Sequence, residues 1–186
     1  MPPSNNEINS IKQVVESFLR VNNSYLPLNI KTLEIVEDLK NDISKVKYLI
    51  LFNNKKINIL GDGKGIVDAL FRSLISELSE NYSSLKQIRL SGFFVSVKIK
   101  SSNGSIGSES PVKVELVIKT NAREKIHFFH EANSLNNATT NAVIKAVEYF
   151  INCEIAILKL HKCIEDAKKR NRNDLIKKYT LIMSEI

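Results

Sequence analysis

Between residues 28 and 160 the spacing of apolar side chains changes rhythm twice, in the same order each time. Three stretches with a period near two come first, and one with a period of three to four follows. Then the cycle repeats. A period of two marks a half-buried strand, and three to four marks a helix with one buried stripe. A chain that reads strand, strand, strand, helix twice over must lay each helix on the face of its own small sheet to bury either one. The expected class is α+β: two successive βββα units forming an internal pseudo-duplication, with added N-terminal and C-terminal helices.

The expected elements run as follows. A helix occupies Glu7–Val21, with Ile8, Ile11, Val15, Phe18 and Leu19 on its stripe and Asn5 or Asn6 as cap. Asn22–Ser24 and Pro27 close it, so residues 1–27 form an N-terminal helix and linker. The first unit, 28–84, holds strands at Leu28–Leu39, Lys45–Phe52 and Lys55–Leu60, although Glu37–Asp42 suits a helix equally well. Asn53–Asn54 suits a tight hairpin turn, since Asn tolerates positive φ. The segment Gly61-Asp62-Gly63-Lys64-Gly65 is too rich in glycine for strand or helix, and a helix follows over Ile66–Tyr82. The second unit, 85–160, holds strands at Ile88–Lys100, with Ile88, Leu90 and Phe94 inward, and at Val112–Lys119 and Glu124–Phe129. Polar loops are expected at 101–110 and 131–137, and a helix from about Asn137 that continues to about Arg170. Residues 161–186 are a basic helical tail ending in a short helix from Asp174.

Composition narrows the function. The chain has 186 residues, 43% apolar and 25% charged, the balance of a folded domain. Its formal charge is +7, but its 20 acids rule out a polycationic tail. Cys153 and Cys163 form no CxxC pair, so neither a disulfide scaffold nor a cysteine-based zinc finger is expected. No apolar run spans a membrane and no secretory leader is evident, so a cytoplasmic location is expected. His127 and His130 fall on opposite faces of a strand, which disfavours a metal site. No cofactor is expected. No nucleophile stands beside a base in a recognisable spacing, so no catalytic residue is assigned and an enzyme is not expected.

The glycine segment is neither a P-loop, since Lys64 is followed by Gly65 and Ile66, nor a dinucleotide fingerprint, since position 66 is not glycine. It remains a glycine turn into a helix start, where backbone N–H groups and the helix dipole favour a carboxylate. An ordinary tight turn with Asp68 as a helix-start acid explains the same residues.

Gly61-Asp62-Gly63-Lys64-Gly65-Ile66-Val67-Asp68-Ala69-Leu70 resembles the G-x-G-x-G-P-V-D-A-L segment of the LeuA-type regulatory domain. That allosteric dimerisation domain ends 2-isopropylmalate and citramalate synthases. Ser134–Ala142 is similar to its second motif, (D/N)-I-x-x-A-S-x-x-A, with Ala138, Thr139 and Ala142 in step. Leu90, Phe93 and Val95 resemble its L-x-x-Y-x-V run. The resemblance covers about residues 30–155 and lacks any counterpart of the catalytic barrel. Ile66 replaces the proline, and His130-Glu131-Ala132-Asn133 stands where a glycine is usual. The resemblance implies two βββα units, a homodimer, and a leucine or isoleucine ligand held by Gly63, Gly65, Val67, Asp68, Ala69, Phe93, Ala138 and Thr139. It implies a regulatory role, with a separate synthase subunit as possible partner. A second expectation is a protein–protein interaction module with a degenerate pocket, working through the added helices. A nucleic-acid partner is not expected: Lys168–Arg172 with Lys177 and Lys178 suits a solvated helix face, and only Tyr179 stands nearby for stacking.

Overall fold

The computed structural model describes residues 5–97, 101–102, 105–106, 111–122 and 124–186, with side chains for 10–97, 111–122 and 124–186. The chain runs α1 (Asn5–Val21), β1 (Leu28–Asp38), β2 (Ile43–Phe52), β3 (Lys55–Gly63) and α2 (Ile66–Leu78), then a 3₁₀ turn at Ser83–Gln87. It continues through β4 (Ile88–Val97), β5 (Ser101–Ser102), β6 (Ser105–Ile106), β7 (Val112–Thr120) and β8 (Lys125–Ala132). It ends with α3 (Leu135–Lys169) and α4 (Asn173–Ser184). Two antiparallel three-stranded sheets result, β1-β2-β3 and β4-β7-β8, each followed by its helix. The class is α+β, with βββα order twice. Where a polar loop was expected at 101–110, β5 and β6 form a two-residue ladder. Ile99, Gly104 and Gly107 lie outside the described residues, as does the side chain of Ile8.

The repeat extends to a shared irregularity. In β1 the register shifts between Ile30 and Thr32, and in β4 between Leu90 and Gly92. One extra residue, Lys31 or Ser91, reverses the parity of the strand after it. Leu28 and Ile30 face the core before the bulge and pair with Phe52 and Ile50; Leu33 and Ile35 face it afterwards, opposite Tyr48 and Val46. In β4, Ile88 and Leu90 give way in the same manner to Phe93 and Val95. The expectation that Phe94 points inward is therefore corrected: it is 59% exposed, because simple alternation takes no account of the bulge at Ser91.

β3 does not stop at Leu60. It continues through Gly61 and Gly63, paired with Val46 and Ser44 of β2, so the glycine segment is largely strand. The other boundaries shift by a few residues. α2 ends at Leu78, four short of Tyr82, and β8 runs past Phe129 to Ala132. The hairpin turn between β2 and β3 has positive φ at both Asn53 (49°) and Asn54 (59°).

One apolar core joins the two units. It holds Val46, Tyr48 and Ile50 of β2, Leu70 and Leu74 of α2, Leu116 and Ile118 of β7, and Val143, Val147 and Ile151 of α3. A second cluster packs Val15, Phe18 and Leu19 of α1 against Ala156 and Leu160 of α3, with Tyr179, Ile182 and Met183 of α4 at its edge. α3 is unbroken for 35 residues, so a division at 160/161 falls inside it.

Polar side chains of α3 hold the connecting segments. Glu148 accepts from the Tyr25 hydroxyl (2.5 Å) and the Leu28 amide (2.7 Å). Burial and this carboxylate together raise the Tyr25 pKa, so the phenol stays a donor. Asn152, 1% exposed, accepts from the Leu26 amide (2.9 Å) and donates to the Leu26 carbonyl (3.0 Å), as a strand neighbour would. Glu154 accepts from the amides of Ser83 (3.1 Å) and Ser84 (2.8 Å) and from the Ser83 hydroxyl (2.9 Å), holding the 3₁₀ turn between the units. Partial burial raises the Glu154 pKa, but these hydrogen bonds outweigh it and the net shift is downward.

Asn152→Ala leaves both polar groups of Leu26 without their partner and should destabilise the fold by about 1–3 kcal/mol in urea unfolding. Because the folded Glu154 pKa is depressed, its contribution is present above the usual carboxylate value and is lost as pH falls through the lowered one. Glu154→Gln should therefore flatten the acid limb of the unfolding midpoint measured against pH.

Candidate functional site

The first junction of strand and helix is built around missing side chains. A Cβ on Gly61 would stand 2.4 Å from Ser73 Cβ. One on Gly63 would stand 2.6 Å from the Ala69 amide nitrogen and 2.6 Å from Asp68 Oδ2. Only glycine lets α2 lie this close on β3. Gly65 then occupies the N-cap with φ +89°, which L side chains rarely adopt, and nothing crowds its open side.

The polar groups around this junction are arranged to hold the turn. Asp68 Oδ2 accepts from the Lys64 amide (3.1 Å) and lies 3.5 Å from Arg72 Nη1. Ser73 Oγ donates to the Ala69 carbonyl (2.6 Å) and meets the Tyr48 hydroxyl at 2.8 Å. Burial raises the Tyr48 pKa to about 12, so it remains neutral. No side chain caps the first turn of α2. Uncapped helix-start amides are the groups that bind a carboxylate.

Pairing across the repeat shows what became of the second junction. Val46, Tyr48 and Ile50 correspond to Val114, Leu116 and Ile118, since each set faces the same post-bulge positions. On the third strand Gly61 corresponds to His130 and Gly63 to Ala132. At the helix start the N-cap Gly65 corresponds to the N-cap Ser134, whose Oγ accepts from the Asn137 amide. With side chains where the first junction has glycine, α3 lies over β7 and β8 alike, whereas α2 sits chiefly on β3. Burial and the nearby Lys145 lower the His130 pKa, which keeps it neutral at pH 7.

The residues expected to form a pocket are only partly gathered. Gly63, Gly65, Val67, Asp68 and Ala69 share one junction, with Val67 9% and Ala69 0% exposed. Ala138 (0%) and Thr139 (1%) sit at the matching turn of α3, too deep for a ligand to touch directly. Phe93 lies on β4, half-buried against the shared core. None of these residues lines the clefts that flank the junction: one of about 470 Å³ on the outer sheet face beside Gly61 and Asp62, and one of about 330 Å³ between β3 and the outer side of α2. What sequence reasoning missed is a groove of about 510 Å³ between α1 and α4, lined by Val14, Phe18, Val21, Tyr179 and Ile182.

The remaining reactive side chains are engaged elsewhere. His127 Nδ1 lies 2.6 Å from Glu115 Oε1 on the outer face of the second sheet. Burial raises the Cys153 pKa to about 12, so its thiol is a poor nucleophile. Among the described residues no group of three or more His, Cys, Asp and Glu is placed to hold a metal. None of the described helices is long and apolar enough to cross a membrane. In the basic stretch, Arg170 pairs with Asp166 and Arg172 with Asp174.

Gly63→Ala should cost about 1–3 kcal/mol, since backbone rather than a movable side chain opposes the new methyl. Gly65→Ala should cost a similar 1–3 kcal/mol through its dihedral angles alone. The two are separable in a Gly63→Ala/Asp68→Ala double variant, because losing Oδ2 relieves only the first. Urea unfolding with unchanged m-values checks both. No protein-family model matches the chain, and no curated protein sequence matches it.

Proposed function

We propose that this chain is a non-catalytic regulatory and dimerisation module of the LeuA type, which binds leucine or isoleucine and modulates a separate synthase of branched-chain amino-acid biosynthesis. The observation that carries the reading is the β3–α2 junction. Two glycines bring the helix start against the strand, and a third turns the chain into an uncapped first turn. In this reading the first-turn amides of α2 take the amino acid's carboxylate. Asp68 is already committed to the Lys64 amide and Arg72, which limits its repulsion of that carboxylate. Val67 and Phe93 supply apolar surface for a branched side chain, and a second protomer completes the enclosure. The duplicated βββα order, down to the matched bulges at Lys31 and Ser91, is the architecture this family resemblance implies.

A second reading, an interaction module working through its added helices, is favoured by the groove between α1 and α4. Leu181 on α4 is 62% exposed and Val21 at the end of α1 is 83% exposed, and both would be covered by a protein partner. Leu181→Glu would then abolish partner co-purification without altering the fold, because the side chain has little to lose on folding.

A thermal-shift titration with leucine, isoleucine, valine and a non-branched control tests the first reading. Ligand at about 100 times its dissociation constant should stabilise the fold by roughly 2.7 kcal/mol. Absence of a shift with all three branched amino acids, in a folded dimeric sample, sinks it.

A further inference from the structure

The two units meet along a seam where the start of α3 lies beside β1 of the other unit, and an open cleft of about 260 Å³ sits in that seam. One wall is the bulged segment of β1, with Lys31 at the bulge and Leu33 after it. The other wall is the first two turns of α3, with Asn136, Asn137, Thr140 and Asn141. Thr140 is 6% exposed, and its hydroxyl has no hydrogen-bond partner. A buried hydroxyl left unpaired costs about 1–3 kcal/mol, and a valine of the same shape would avoid it. The hydroxyl belongs to a residue that lines the cleft, so a group bound there is the partner within reach.

We infer that this cleft binds a small aliphatic monocarboxylate. The start of α3 supplies the positive end of a 35-residue helix. Ser134 caps the Asn137 amide at 3.5 Å, and no side chain of the described residues is bonded to the amides of Leu135 and Asn136. The Lys31 ammonium stands on the opposite wall. Asn141 Nδ2 donates to Asn137 Oδ1 (2.5 Å), which fixes the Asn137 amide group with its own Nδ2 turned to donate elsewhere. Donors therefore outnumber acceptors around the cleft, as an anion requires. Leu33 and the neighbouring Ile30 supply an apolar floor for a short hydrocarbon body. The volume holds about eight groups of water size at roughly 30 Å³ each, which admits a C5 or C6 acid and excludes a nucleotide. This site is separate from the α2 junction and does not depend on the reading given for it.

The test is an amide NMR titration of the full chain with three probes: leucine, 4-methylpentanoate and 3-methylbutylamine. The expected result is a saturable shift at Lys31, Thr32, Asn136 and Asn137 with a carboxylate probe and none with the amine. A response to leucine alone identifies an amino-acid site; a response to both acids identifies a carboxylate site indifferent to the amine. Lys31→Gln and Thr140→Val should each weaken binding about fivefold, the worth of one hydrogen bond. Without ligand, Thr140→Val should unfold at the same or a higher urea concentration. The inference is overturned by no saturable shift at about 10 mM of either acid, beyond any useful affinity. It is also overturned by an equal response to the amine, by affinities that neither variant changes, or by a less stable Thr140→Val protein. Shifts confined to 63–69 would overturn it too, while favouring the α2 junction.

Discussion

Everything in this fold is referred to α3. A three-stranded sheet has one face to bury and too little area to stand alone. Here both sheets and α2 share a single core, and α3 lies at its centre over 35 residues. An α-helix rises about 1.5 Å per residue, so α3 reaches roughly 52 Å, enough to serve the units with one end and the added helices with the other. Its polar face matters as much as its stripe. Glu148, Asn152 and Glu154 lie within two turns and satisfy backbone groups of the linker at 25–28 and of the turn at 83–84. Both crossings that join the units to their surroundings are therefore bonded to the same short stretch of one helix.

The two halves have the same plan and different contacts. Glycines at 61 and 63 press α2 onto its edge strand, while His130 and Ala132 in the matching places leave α3 over the middle of its sheet. The first junction presents an uncapped helix start on a tight turn. The second is capped by Ser134, buries Thr139 and Thr140 without partners, and leaves a cleft toward β1. Duplication followed by divergence at two strand positions is enough to give one chain two chemically different helix starts. An amino-acid sensor needs only one of them, which leaves the other free to bind something else or to serve the fold.

The added helices change the surface rather than the core. α1 and the second half of α3 bury Val15, Phe18, Leu19, Ala156 and Leu160 together, but α4 has no fully buried residue. Its apolar side chains Tyr179, Ile182 and Met183 rest at the edge of that cluster, and Leu181 points to solvent. A helix held so lightly is the part of the molecule with most to gain from a partner. The basic residues on it are partly neutralised by neighbours, with Asp174 held at a pKa of about 2 by Arg172.

Much of the architecture was legible because periodicity reports burial directly. The order of elements, the asparagine turn at 53–54, and the buried stripes of α2 and α3 follow from spacing alone, since a helix or strand with one apolar face has one way to turn it inward. The motif at 61–70 was legible as a unit, and so was the smallness that its glycines impose. Three things belonged to the tertiary structure. The bulges at Lys31 and Ser91 decide which of Phe93 and Phe94 faces the core, and a one-residue slip leaves no local mark in the sequence beyond a change of parity. Gly61 and Gly63 are strand residues because the neighbouring strand pairs with them and α2 fills the space above; glycine by itself carries no preference for either role. The cleft between β1 and α3 joins residues about a hundred positions apart, and the unpaired hydroxyl of Thr140 exists only once the surrounding groups have chosen other partners. Composition and spacing fix what each segment can bury. Which polar groups are left without a partner depends on every other segment as well, so it is settled only when the whole chain has packed.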